Sequence, residues 1–185
     1  MKLLKSLVVA AAITLGASAS ADDAAGPSVG HPLAPLCDLI CGGTWDYDTP
    51  PYPDEFRTRM TFAWNADTAS IMGQSVRSGG IAGIRQVTSV TFAYDADADT
   101  ITVTRAPDEA NWTKIGGELP PAVSGTLTLA DTGFQMRFES ASTPGEMMIT
   151  AVRFETPDLW IERSEITGNG QSTLGTEQRY VRKTE

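Results

Sequence analysis

The chain has 185 residues, 23 Asp+Glu against 14 Lys+Arg, and a formal net charge of −9. Its 41% hydrophobic and 20% charged residues suit a packed single domain and exclude general disorder. The acidity argues against a nucleic-acid binder and against an anionic membrane surface as partner, and one histidine excludes a His-rich metal cage.

In chain order, Lys2 and Lys5 precede an apolar run from Leu7 to Leu15, and Ala19-Ser20-Ala21 supplies the small residues of a signal-peptidase site. Residues 1–21 are therefore expected to be a secretory signal peptide, cleaved near Ala21. The run is well short of the ~20 residues a membrane span needs, so no stable membrane insertion is expected. The expected compartment is the periplasm or the exterior. Residues 22–32 are small, polar and Gly/Pro-containing and read as a disordered lead-in. His31, at its end, reads as solvated. Residues 33–185 form the single expected domain.

Leu33, Leu36, Leu39 and Ile40 would line one side of a short helical turn. Cys37 and Cys41 lie within it. An oxidising compartment favours a disulfide between them, although a helical backbone makes that geometry awkward. Free thiols and a Cys-x-x-x-C metal site are the alternatives, and no nearby His or Met completes a ligand set, so no metal is assigned.

From Gly43 onward the hydrophobic period is two. Trp45 and Tyr47 share a face of a first strand, broken by Pro50, Pro51 and Pro53. Phe56, Thr58, Met60, Phe62 and Trp64 form one face of the second. A third spans Ala69 to Ser78. Thr88, Val90, Phe92 and Tyr94 mark a fourth, and Ile101, Val103 and Arg105 a fifth. The stretch 106–122 reads mostly as loop. Leu127 and Leu129, then Phe134, Met136 and Phe138, give two strands about an Asp131-Thr132-Gly133 turn. Met147 to Glu155, Leu159 to Ile166 and Glu177 to Lys183 complete the set. About ten sequential strands predict an all-β, up-and-down antiparallel sheet, which leaves no hydrophobic edge only if it closes into a barrel. A two-sheet sandwich is the second choice.

Asp95, Asp97 and Asp99 have the spacing that opens a calcium loop, but Thr100 and Ala106 stand where its glycine and glutamate belong, so an acidic solvated hairpin is expected. Asn111-Trp112-Thr113 matches the N-glycosylation pattern and reads as an accident in an exported bacterial-type chain. Arg105 shares a face with Ile101 and Val103, and Arg163 shares one with Leu159 and Ile161. If those apolar residues point inward, both arginines do too, where they need an anion. The alternative is that both sit at strand ends and reach water.

The segment Leu36 to Trp45, ending in Gly43-Thr44-Trp45, resembles the entry of calycin-type barrels, which include lipocalins and nitrobindin-like bacterial proteins. The resemblance implies that Trp45 packs against a cation of the last strand, either Arg179 or Arg182. Nitrobindin-like barrels hold haem through a histidine near the C-terminal strands. This chain has no histidine after His31, so haem is not carried over and no cofactor is expected. The resemblance implies binding of a small, largely apolar or amphiphilic ligand, with an acid group if Arg105 and Arg163 reach the cavity. Phe62, Trp64, Phe92, Phe134, Met136 and Phe138 would line the site. The rivals are an enzyme acting on a lipophilic substrate in the same cavity, for which no catalytic residue is marked, and a filled barrel that works through its surface.

Overall fold

The computed structural model describes residues 26–48, 57–79, 83–113, 119–140, 143–168 and 170–184. The expected signal peptide, residues 22–25 of the lead-in, the Pro50–Pro53 break and Phe56 lie outside them.

Among these residues one helix, α1 (Ala34–Ile40), precedes eleven strands: β1 (Thr44–Tyr47), β2 (Arg57–Asn65), β3 (Ser70–Gly79), β4 (Ile84–Asp95), β5 (Thr100–Trp112), β6 (Val123–Ala130), β7 (Gly133–Glu139), β8 (Met147–Thr156), β9 (Leu159–Gly168), β10 (Gln171–Leu174) and β11 (Gln178–Lys183). Each strand from β1 to β9 pairs antiparallel with the next. β9 then pairs with β11 and β11 with β1, which closes the ring. β10 and β11 lie on the same side of β9 and together fill one place in the wall, so the barrel has ten staves. The sandwich alternative is thereby excluded. β5 is longer than its apolar alternation suggests. It runs on through Ala106 to Trp112, despite Pro107, beside an irregularity opposite Gln86–Thr88 of β4. The polar connection after Gly168 contains β10.

Two hairpins are built alike. The Asn65 side chain accepts the N–H groups of Asp67 and Thr68, and the Asp95 carboxylate accepts those of Asp97 and Ala98, all at 3.0–3.2 Å. Asp95 therefore serves the turn. No group of three or more His, Cys, Asp or Glu among the described residues is placed to hold a metal.

One end of the barrel is plugged. A helix of seven residues is marginal alone, and α1 is fixed by packing: Leu33, Leu36 and Ile40 are fully buried. Its last carbonyls are taken by the barrel. Trp45 Nε1 donates to the Ile40 carbonyl at 3.0 Å, and Arg182 donates to that of Leu39. The Arg182 guanidinium lies 4.5 Å from the centroid of the Trp45 ring. Gly43 has φ +84°, and a Cβ there would meet the Lys183 carbonyl oxygen at 2.9 Å. The glycine of Gly-x-Trp is thus required both by the turn and by the close passage of the last strand. Arg179 points to the outer face, near Asp48 and Glu155.

His31 also differs from expectation. It is half-buried, its Nδ1 accepts the Leu33 N–H at 3.1 Å, and its ring meets Trp64 edge-on at 5.1 Å. Turn hydrogen bonds from His31 to Ser28 and from Ala34 to His31 order this part of the lead-in.

Candidate functional site: a cavity in the barrel

Above the plug, the inner face encloses a cavity of about 220 Å³. Period-two alternation and the strand register decide what lines it. Trp45, Met60 and Ser75 are successive register partners on β1, β2 and β3, and Phe62, Gly73, Val90 and Arg105 continue across β2 to β5. The apolar wall is Met60, Phe62, Val90, Phe92, Phe134, Met136 and Val152. The polar part is Thr58, Ser75, Thr88, Arg105, Glu162 and Tyr180, with Trp160 between them. A larger hollow of about 680 Å³ lies along the charged outer face of β1 and β2, where Arg59 and Asp46 pair at 2.8 Å. Its lining is dominated by charged side chains, Asp46, Asp48, Arg57, Arg59, Arg85 and Lys183, and lacks the predominantly apolar walls of a small-molecule site.

Of the residues expected at the site, Phe62, Phe92, Phe134, Met136 and Arg105 come together. Trp64 faces inward but meets His31 near the plug. Phe138 lies beneath the Arg105 guanidinium, 5.0 Å from it, and borders a separate hollow with Val123 and Met148. Arg163 is a correction. On β9 the inward residues are Trp160, Glu162, Ser164 and Ile166, as the stacking of Trp160 on Trp45 at 4.5 Å requires. Leu159 and Ile161 face outward, Ile161 flanked by Arg153 and Arg179, so Arg163 stands exposed on the outer surface. The two cysteines, Cys37 in α1 and Cys41 as its C-cap, are free thiols and not the expected disulfide. Burial, then the hydrogen bond to Cys37, pushes the Cys41 thiol up and keeps it protonated.

The lining residues that the sequence reading did not assign to the site include Trp160, Glu162 and Tyr180. Glu162 is the cavity's carboxyl group. Burial pushes its pKa up, and the positive charge of Arg105 works the other way. Burial also raises Tyr180, followed by the effect of Glu162, so Tyr180 stays a neutral phenol and donates to Gln178 Oε1 at 2.9 Å.

The hydrogen-bond inventory of this cavity is incomplete on the donor side. Among the described residues, Arg105 Nε and Trp160 Nε1 are both buried and find no acceptor. The other contacts of the Arg105 guanidinium are soft: Met136 Sδ at 3.8 Å and the Phe138 ring. A buried donor without a partner costs about 1–3 kcal/mol, more when charged. Two such donors lining one cavity are suited to a molecule that brings acceptors.

Compared by sequence, the chain matches no protein-family model and no curated protein. The closed ten-stave antiparallel barrel is consistent with a calycin-like fold.

Proposed function

We propose that this is an exported calycin-type barrel that binds a small, largely apolar molecule carrying an acid group. The observation that carries the reading is the pair of unsatisfied buried donors, Arg105 Nε and Trp160 Nε1, on a cavity otherwise walled by Phe and Met. A carboxylate supplies acceptors and a charge opposite to the guanidinium. The apolar body gains ~25 cal/mol for each Å² it buries. At the packing density of protein interiors, 220 Å³ takes about ten non-hydrogen atoms, the size of octanoate.

Tryptophan fluorescence, titrated with octanoate and with methyl octanoate, tests the reading. Octanoate is expected to bind more tightly than the ester. Arg105→Met should weaken octanoate by roughly 1.5–3 kcal/mol, as for hydrogen bonds to charged groups, and leave the ester little changed. Equal affinity of the wild-type protein for acid and ester would refute it.

Glu162 favours a second reading. A half-buried carboxyl group with a raised pKa on a cavity is a general acid–base candidate. On this reading the barrel turns over a lipophilic substrate, and Glu162→Gln abolishes turnover while leaving binding in place.

A further inference from the structure

Glu162 borders two spaces. It lines the inner cavity, and with Ser164, Gly175, Thr176 and Gln178 it lines a second hollow of about 240 Å³. The reason is the interrupted stave. β9 pairs with β11 along Leu159–Glu162 and with β10 along Glu165–Gly168. Between these ladders, Arg163 and Ser164 have no strand partner on that side, and the Gly175 N–H to Ser164 carbonyl bond, 2.7 Å, bridges the break. Glu162 is the last β9 residue of the β11 ladder, at the edge of this break.

We propose that Glu162 is a proton-exchanging group at a side entrance of the cavity, and that capture of an acidic ligand is accompanied by uptake of a proton at Glu162. This rests on the reading of the cavity as an acid-binding site. The ionisable groups facing Glu162 are Arg105 on β5 and Tyr180 on β11. Its register partners are the apolar Val152 on β8 and the neutral Gln178 on β11. Glu165, on the outer side of β9, is hydrogen-bonded to Ser172, and Glu177 is exposed. Arg105 is thus the cation that makes a Glu162 carboxylate tolerable. A ligand anion that engages Arg105 withdraws that support and adds negative charge to a poorly solvated space. Glu162 then takes a proton, reached through the break in the wall. By reciprocity, protonation of Glu162 tightens the ligand.

Calorimetry with hexanesulfonate, whose head stays anionic throughout, tests this between pH 5.5 and 8 in two buffers of different ionisation enthalpy. The expected result is affinity that falls as pH rises, approaching about tenfold per unit for one linked proton, with heats that differ between buffers by the proton taken up. Glu162→Gln, a neutral side chain of the same shape, should bind at the wild-type acidic limit at every pH, with no buffer-dependent heat. The Glu162 carboxyl ¹³C resonance of the wild-type protein provides the same test without a variant: its titration should move to higher pH when hexanesulfonate is added. Binding that Arg105→Met weakens but that takes up no proton would overturn this inference and leave the acid-binding reading intact. No binding of hexanesulfonate or octanoate would remove both.

Discussion

Replacing Arg182 by Met should loosen the plugged end of the barrel and cost about 2–4 kcal/mol. Methionine retains most of the apolar stem, so the loss isolates the guanidinium. That group lies 4.5 Å from the Trp45 centroid, and a desolvated cation–π contact contributes up to about 2 kcal/mol. It also donates to the Leu39 carbonyl at the end of α1, and leaving such a group unpaired costs about 1–3 kcal/mol. Its approach to Asp158, at 3.7 Å, adds little because that carboxylate is 67% exposed. The control is Arg179→Met on the same strand. Arg179 is 45% exposed and reaches Asp48 and Glu155 only at 3.9 and 3.5 Å, so its removal should cost about 0–1 kcal/mol. Urea unfolding followed by tryptophan fluorescence gives both values, and in a domain of this size the Arg182 loss lowers the thermal midpoint by of order 10 °C. If Arg182→Met unfolds no more readily than Arg179→Met, the clasp between α1, Trp45 and the last strand does not hold the end shut.

Three other outcomes are expected, two from the structure and one from the sequence. A Cβ at Gly73 would meet Phe62 Cδ1 at 2.2 Å and the Thr61 carbonyl oxygen at 2.7 Å, so Gly73→Ala should cost about 1–3 kcal/mol by overpacking; an unchanged urea midpoint contradicts this. Glu162 has a raised pKa in the folded protein, so the folded state binds the proton more tightly than the unfolded chain, and stability falls as pH rises from the unfolded value through the folded one. Glu162→Gln should therefore be more stable than wild type above that window and lose the advantage in acid, a difference readable from unfolding midpoints at pH 4 and pH 8. The exported protein should begin at Asp22, and an intact mass that still includes residues 1–21 would contradict the expected signal peptide and the periplasmic location together.

The staves were legible because most of them are apolar on one face only. Met60 and Phe62 on β2, or Phe134, Met136 and Phe138 on β7, have a single inward assignment. β9 was not legible in this way. Both faces of Leu159–Ile166 carry apolar and charged residues, and period-two alternation does not say which set points inward. Register against Val152 and Tyr180 decides it, and places Glu162, not Arg163, on the inside. The same ambiguity hid Trp160. The choice between Arg179 and Arg182 likewise depended on which pairs with Trp45, and the register gives Arg182. His31 was misjudged because its anchors, the Leu33 N–H and the Trp64 ring, belong partly to a residue more than thirty positions away in the chain.

The most direct measurement of the central claim is the amide and side-chain ¹H–¹⁵N spectrum of the protein as octanoate is added. Trp45 Nε1 already donates to the Ile40 carbonyl, whereas Trp160 Nε1 and Arg105 Nε have no acceptor. The Trp160 indole and Arg105 Nε–H resonances should shift downfield together and saturate with one equivalent of bound octanoate, while the Trp45 indole stays in place. Saturable octanoate binding with both resonances unmoved would contradict that claim.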